Sequence, residues 1–445
     1  MRFGLAAVTS RLVGKQLEIY TANQPDRGIQ PLLTRRTSFN GDQQRVRFPR
    51  RRAVRPEPAS PGKNSDIEIL RAFAILYTIV LHFGVLLGAD SVLLIPPNYL
   101  DLSVGVDLFL VISGFVITGS IIESTANPTA TRRSLMFSFW IKRIFRLLPA
   151  AWTWVAIAGA VQFLVLAVTD IPYQPRDILI RMVAALGNFM NLYNPFCIAN
   201  GGGEACFGNY LGHYWSLSLE EQFYLVFPFL FFFLSRRVLV GLLVVAILAQ
   251  FFWQRPFFTY AWYFKTDALC WGIGLALLAR TGFYRRHPPL LFSYRSLATA
   301  TGLILLACLP LLAAQVQGIG GYMKPYGVGL VALFCAAIVW LASYDRNIFS
   351  IGPRYQHLML YLGSRSYSLY LSHLVVFLAS RDLFGQFGQE LATATGAAAF
   401  NAIKLAVALG LTLLGAELTY RFVESVLRAR GRVIAARLVA THRAS

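Results

Sequence analysis

The chain has 445 residues, of which 56% are hydrophobic and 14% are charged, and its formal net charge is +20. Soluble domains carry roughly 25% charged residues. The apolar residues here fall in repeated runs of about 20, each long enough to cross the roughly 30 Å hydrocarbon core of a bilayer as a helix. This pattern argues against a soluble protein. It also argues against a nucleic-acid-binding protein, because the basic residues lie between the apolar runs and form no single basic face.

The amino-terminal segment differs from the rest of the chain. Residues 1–64 include the stretch RVRFPRRRAVRPEPASPGKNS, which is rich in Arg, Pro and Ser and cannot bury an apolar face. We predict a disordered, basic cytoplasmic tail over 1–64, a membrane domain over 65–421 and a second basic cytoplasmic tail over 422–445.

Ten apolar runs predict ten transmembrane helices. Their approximate limits are 67–88, 104–122, 148–168, 215–234, 238–254, 262–280, 297–316, 327–343, 361–380 and 400–421. A further run at about 178–196 contains Arg181, Asn188 and Asn191, which favours a re-entrant or interfacial helix.

The basic residues predict the orientation of these helices. With the amino terminus inside, the inside segments hold Arg132, Arg133, Lys142, Arg143, Arg146, Arg236, Arg237, Arg280, Arg285, Arg286, Arg295, Arg346, Arg354, Arg365, Arg428, Arg430, Arg432 and Arg437. The outside segments hold only Arg176, Arg181, Arg255, Lys265, Lys324 and Arg381. This alternation obeys the positive-inside rule. The predicted fold is therefore all-α: a polytopic membrane helical bundle of about ten helices, with both termini cytoplasmic, in the cell inner membrane.

The first two predicted spans carry a candidate catalytic group. Arg71 and His82 are eleven positions apart, about 20° beyond three full turns of a helix, so they share one face. Asp107 lies near the outer end of the second span, at a depth similar to that of His82. Because a carboxylate beside an imidazole can orient it and raise its basicity, we expect His82 to act as a general base, oriented by Asp107 or Glu220. The structural alternatives are an interhelical hydrogen bond for His82 and a helix cap for Asp107.

A basic motif precedes the third span. Arg143 and Arg146 are three residues apart, so they share a helix face before Pro149. Two guanidinium forks at the inner membrane surface suit the phosphates of an acyl-coenzyme A donor. The alternative is an ordinary basic membrane anchor.

The fourth span begins with an acidic pair. Glu220 and Glu221 lie near the predicted outer face, and one of them is expected to pair with Arg71 or His82 while the other bonds substrate or backbone. Trp215, at the mouth of this span, could hold a sugar ring or belong to the interfacial aromatic belt.

Four further residues are weaker candidates. Asp267 in the sixth span and His373 in the ninth either contact substrate or support the helices. Cys197 and Cys206 flank a Gly-rich segment, where a disulfide is plausible if that segment faces an oxidising compartment. No CxxC spacing occurs, so we predict no metal site.

Six motifs in order give the chain a family resemblance. They are Arg71-x10-His82, GVDLFLVISGF, the RxxR of Arg143 and Arg146, WSLSLEEQFYL, DALCWG and SYSLYLSH. Together they resemble the acyltransferase-3 family of integral membrane acyltransferases. The resemblance implies a ten-helix membrane fold and, often, O-acetylation of surface or exported molecules. It also implies that His82 is the catalytic histidine, Arg71 its motif partner, and Arg143 and Arg146 the acyl-coenzyme A site.

The predicted function is transfer of an acyl group, with acetyl expected, from acyl-coenzyme A to a hydroxyl of a cell-surface or exported carbohydrate. The predicted partners are membrane lipid, the acyl-coenzyme A donor and an extracytoplasmic carbohydrate acceptor, with no resident cofactor and no nucleic acid. An acyl-histidine intermediate is an open alternative to direct transfer. The competing functions are a proton-coupled transporter or exporter of a glycan or lipid-linked glycan, and a non-catalytic membrane scaffold.

Overall fold

The computed structural model describes residues 64–88, 99–127, 130–169, 174–202, 206, 209–317 and 324–441. All regular secondary structure in these ranges is helical, which confirms the predicted all-α class. The predicted disordered tail over 1–64 lies, except for its last residue, outside the described residues.

We number the helices in chain order. They are α1 (Ser65–Leu81), α2 (Phe83–Leu87), α3 (Val104–Ser124), α4 (Arg132–Val168), α5 (Pro175–Leu186), α6 (Met190–Ala199), α7 (Tyr214–Phe233), α8 (Arg236–Phe251), α9 (Tyr260–Tyr263), α10 (Thr266–Leu278), α11 (Gly282–Arg286), α12 (Arg295–Gln317), α13 (Gly327–Ala342), α14 (Pro353–Ser364), α15 (Ser366–Phe387), α16 (Gln389–Thr395), α17 (Ala397–Thr419) and α18 (Ser425–Thr441). A short 3₁₀ helix (Leu290–Ser293) precedes α12, and a π-helical turn (Tyr420–Glu424) joins α17 to α18.

Several helices have the length and composition needed to cross a membrane. Five segments among the described residues meet both criteria: Ser65–Leu87, Val104–Ser124, Arg132–Val168, Arg295–Gln317 and Ala397–Ala440. The chain is therefore built as a multi-pass membrane protein. The count of ten spans and the cytoplasmic placement of both ends stay predictions.

Three of the predicted spans are interrupted. The first breaks at His82, the sixth between Tyr263 and Thr266, and the ninth at Arg365. At His82 the backbone N–H donates to Ile79 O at 3.2 Å, three residues back, so the α-helical pattern stops there. These breaks place polar residues inside otherwise apolar segments. The run at 178–196 is likewise two helices, α5 and α6, separated by Asn188 at φ 58°.

The third predicted span is part of a longer helix. We expected a step into the span at Pro149, but α4 has 37 residues and continues through this proline. At 1.5 Å per residue it is about 55 Å long, well beyond the hydrocarbon core. The segment that carries Arg143 and Arg146 is therefore a rigid extension of a spanning helix.

The predicted basic tail over 422–445 is helical from Ser425 to Thr441 and packs along α4. Trp154 donates to Thr419 at 2.9 Å, and Gly431 lies directly against Phe145. Since residue numbers rise along one helix as they fall along the other, the two run antiparallel. This packing braces the arginine-bearing half of α4.

Glycine residues allow close contacts of α3 with α1 and α10 at the centre of the bundle. Gly114 of α3 faces Gly272 of α10, and a Cβ on either would collide with the backbone of the other helix. Gly105 of α3 similarly faces the Ala74 carbonyl of α1. The small residues of the second predicted span thus allow α1 and α10 to approach α3 closely.

Candidate active site

A cavity enclosing about 720 Å³, counted with the open space at its mouth, lies among α1, α3, α4, α7 and α15. Its polar lining residues are Arg71, Ser113, Arg143, Arg146, Ser216, Glu220, Tyr224, Ser366, Tyr367 and Tyr370. We call it the arginine cavity. Among the described residues it holds three guanidinium groups and a single carboxylate, so its lining carries an excess of positive charge.

Of the three arginines, only Arg71 forms an ion pair among the described residues. The Arg143 guanidinium lies over the rings of Phe139 and Tyr224, at 5.4 and 5.6 Å from their centroids. Arg71 reaches only a long ion pair with Glu68, at 3.7 Å. The Nε atoms of Arg71 and Arg146 are buried and have no hydrogen-bond partner among the described residues. Such donors suit an anionic ligand with several oxygen atoms.

Glu220 occupies the same cavity as the arginines. Ser113 of α3 donates a hydrogen bond to its Oε1. The sequence pattern put Glu220 near the outer face and the arginines at the inner face, but the structure brings them together because α7 carries Glu220 about two turns into the bundle. Glu221 is half-buried and does not line the cavity.

His82 belongs to a cluster of three imidazoles next to the cavity. Its ring centroid lies 5.0 Å from that of His373, which in turn lies 5.2 Å from that of His213. The Nδ1 atom of His82 is 2.7 Å from the Thr78 carbonyl oxygen and 3.3 Å from His373 Nε2. Within the described ranges, no group of three His, Cys, Asp or Glu side chains is arranged to hold a metal ion.

Tyr370 connects the cavity to this cluster. It lines the cavity, and its ring centroid lies 5.5 Å from that of His373 and 5.3 Å from that of His213. Its hydroxyl donates to the His213 carbonyl at 2.9 Å and lies 2.6 Å from Ser216 Oγ. Arg71 and His82, which the sequence pattern predicts to work as a pair, are therefore divided between the cavity and the cluster.

The prediction that Asp107 orients His82 is wrong. Asp107 Oδ2 accepts from Lys265 Nζ at 2.8 Å, and both side chains are fully buried. Lys265 also lies 3.6 Å from the centroid of the Trp262 ring. Lys265 occupies the break between α9 and α10, so the interruption of the sixth span supplies the cation that binds Asp107.

Asp267 is likewise paired away from the cavity. Arg255 donates to its two carboxylate oxygens at 2.8 and 2.7 Å, and both residues are buried. The two ion pairs also interact with each other electrostatically. We call the four residues Asp107, Lys265, Arg255 and Asp267 the ion-pair cluster. Its two cations are among the few basic residues in the predicted outside segments, which is the one signal that could have indicated their partners.

The remaining candidates lie around the site. The half-buried Trp215 ring packs edge-on against Tyr263 at 5.2 Å and does not line the cavity, although the next residue, Ser216, does. A disulfide joins Cys197 to Cys206, linking the end of α6 to the segment before α7. His213, which the sequence pattern did not select, lies directly before α7, and its ring centroid lies 5.2 Å from that of His373.

The family model described as "Acyltransferase domain" (Acyl_transf_3) matches residues 64–421, which is most of the chain. The chain belongs to the acyltransferase-3 family. Its arginine cavity and histidine cluster are thus features of a membrane acyltransferase domain.

Two curated relatives of this acyltransferase-3 protein carry functional names. The peptidoglycan O-acetyltransferase OatA of Listeria monocytogenes is 25% identical over 385 residues, covering 82% of this chain and 56% of the relative. The O-acetyltransferase OatA of Staphylococcus aureus is 26% identical over 398 residues, covering 84% and 58%. The chain thus spans little more than half the length of these relatives. No solved structure matches it.

Proposed function

We propose that this protein is an O-acetyltransferase that moves an acetyl group from cytoplasmic acetyl-coenzyme A to a hydroxyl of a carbohydrate on the other side of the cell inner membrane. The observation that carries the proposal is the arginine cavity, whose lining holds three cations and one carboxylate and which adjoins a cluster of imidazoles. Family membership supports acyl transfer, and the names of the two relatives support acetyl as the group. The name of the Listeria monocytogenes relative, a peptidoglycan O-acetyltransferase, supports a glycan as the acceptor.

The donor site is proposed to be the arginine cavity. Coenzyme A presents a pyrophosphate and a ribose phosphate, and guanidinium groups bind such oxygens with two parallel hydrogen bonds. Arg143 and Arg146 supply two forks from one face of α4, and Arg71 supplies a third from α1. In this proposal Arg71 binds the donor instead of assisting His82 directly.

The acetyl group is proposed to pass to the acceptor beside His82. His82 takes the proton of the acceptor hydroxyl, and the resulting alkoxide oxygen attacks the thioester carbonyl. The tetrahedral intermediate collapses with loss of the coenzyme A thiolate, and His82 returns the proton to that sulfur. The products are the acetyl ester and free coenzyme A, and no further reactant is needed. Attack by His82 itself, through an acetyl-imidazole, yields the same products in two steps.

A proton-coupled exporter is the competing function. Its charged residues would be expected to face a substrate pathway and to change partners during transport. The charges of the ion-pair cluster instead form two ion pairs at 2.7–2.8 Å and lie outside the cavity lining. We therefore assign the cluster to stability.

The proposed function can be tested with purified protein in proteoliposomes. Acetyl-coenzyme A labelled in the acetyl group is supplied on one side and soluble glycans, including a peptidoglycan fragment, on the other. We expect label in an alkali-sensitive ester on a glycan, with one free coenzyme A released per acetyl transferred. Label that never reaches any glycan, with no release of coenzyme A above that of empty liposomes, would contradict the proposal. Glycan transport without acetylation would establish the exporter instead.

A further inference from the structure

The break in the first span changes the chemistry of His82. In a continuous helix the Thr78 carbonyl would accept the backbone N–H of residue 82, four positions on. Here that N–H donates to Ile79 O instead, at 3.2 Å. The Thr78 carbonyl is thereby left for the His82 ring, whose Nδ1 lies 2.7 Å away.

This contact determines which ring nitrogen is basic. A carbonyl oxygen only accepts hydrogen bonds, so Nδ1 of His82 must carry the hydrogen when the ring is neutral. The lone pair then resides on Nε2. The helix break at His82 thus selects the tautomer in which Nε2 is the nitrogen able to take a proton.

The same reasoning applies to His373. Its Nδ1 lies 2.7 Å from the Tyr370 carbonyl oxygen, so this nitrogen also carries a hydrogen and the Nε2 lone pair is an acceptor. That Nε2 lies 3.3 Å from His82 Nδ1. The hydrogen on His82 Nδ1 is therefore shared between the Thr78 carbonyl and the His373 ring.

The surroundings leave His373 as the side-chain partner of His82. His373 is fully buried on α15, which packs against both α1 and α2 on either side of the break. The carboxylate that could have taken this role, Asp107, is bound by Lys265. A neutral partner also avoids the free-energy cost of placing another carboxylate in the low-dielectric centre of the bundle.

We propose that His373 is a positioning residue for His82, acting where many hydrolases and transferases use a carboxylate. This inference rests on the proposed function. The His373 Nε2 lone pair holds the His82 ring in one orientation with Nε2 free. When His82 Nε2 takes the acceptor proton, the Nδ1–H becomes a stronger donor, and His373 Nε2 with the Thr78 carbonyl stabilises the imidazolium. The proton on Nδ1 stays on His82 throughout.

Two matched variants test the proposal. In His373→Gln the amide oxygen can reach the position of Nε2 and keep an acceptor for His82, whereas in His373→Asn the same amide is one methylene too short. We expect kcat to fall by roughly tenfold to a hundredfold in H373N and to stay within about fivefold of wild type in H373Q. The KM for acetyl-coenzyme A should stay unchanged in both, because His373 lies outside the arginine cavity.

Comparing H373Q with H373N also separates a positioning effect on kcat from a general loss of stability. Both variants bury a polar amide at the same site, so their thermal midpoints should be similar while their kcat values differ. Equal kcat values for H373Q and H373N, whether both high or both low, would overturn the positioning role. If wild type transfers acetyl and His82→Gln does not, equal kcat values for the two His373 variants contradict only the positioning role of His373. If wild type itself fails to transfer acetyl, the proposed function fails first.

Discussion

The ion-pair cluster and the arginine cavity both place charged side chains inside the bundle, but they differ in how far opposite charges balance. In the ion-pair cluster two cations and two anions form two ion pairs at 2.7–2.8 Å. In the arginine cavity three cations face one carboxylate, and that carboxylate is bonded to Ser113. A buried charge is tolerated only when it is compensated. The cluster finds its compensation inside the protein, whereas we propose that a bound ligand supplies part of the compensation in the cavity.

The largest expected effect comes from breaking the cluster. Lys265→Met leaves Asp107 as an uncompensated buried charge, which costs about 3–5 kcal/mol. We expect a marked drop in the thermal midpoint of the detergent-purified protein, or no recoverable folded protein at all. Fluorescence-detected size-exclusion chromatography after a heating series measures the thermal midpoint and the amount of folded protein.

A double variant serves as the control for this change. Adding Asp107→Leu to Lys265→Met removes both charges, so most of the lost stability should return. A single Lys265→Met variant as stable as wild type would show that the cluster does not hold the bundle together. A double variant no more stable than the single one would show that the loss comes from packing and not from charge.

A change in the cavity should affect ligand binding and leave the fold intact. Arg143→Gln and Arg146→Gln each remove hydrogen bonds to the donor phosphates, worth about 1.5–3 kcal/mol. We therefore expect the KM for acetyl-coenzyme A to rise by roughly tenfold to a hundredfold, with little change in the thermal midpoint. Initial rates over a range of donor concentrations measure the change.

Lys142→Gln is the matched control for the arginine variants. Lys142 stands on the same helix, next to Arg143, but is exposed and does not line the cavity. Its loss should leave the KM for the donor unchanged. A similar rise in KM for all three variants would mean that general positive charge on α4 attracts the donor, and that the cavity is not its site.

The smallest effect is expected at Ser113. Ser113→Ala removes the hydrogen bond to Glu220, but water in the open cavity can replace it, so the stability loss should be about 1 kcal/mol or less. The thermal midpoints of Ser113→Ala and Lys265→Met measure the difference in stability between the arginine cavity and the ion-pair cluster. A loss as large as in the cluster would mean that Glu220 and Ser113 form a structural pair and that this wall of the cavity is dry.

The sequence predicted features that depend on neighbouring residues better than it predicted side-chain pairs between distant parts of the chain. The apolar runs and the shared face of Arg143 and Arg146 depend on residues within a few turns of each other, and the structure shows both. The partner of Asp107 could not be found in this way, because Lys265 lies 158 residues away at a break in an apolar run. His82 and His373 are 291 residues apart and meet only when α15 packs against α1. That Glu220 and the arginines line one cavity could not be predicted either, because run boundaries do not show how far neighbouring helices are shifted along each other.

The central claim is that the imidazole of His82 performs the proton transfer for a donor bound in the arginine cavity. A single-turnover experiment tests it most directly: enzyme in excess over labelled acetyl-coenzyme A, with acceptor present, quenched over time in wild type and His82→Gln. We expect wild-type affinity for the donor in His82→Gln, from equilibrium binding, together with an acetyl transfer rate lower by about 10²- to 10⁴-fold. Transfer by His82→Gln at the wild-type rate would contradict the claim.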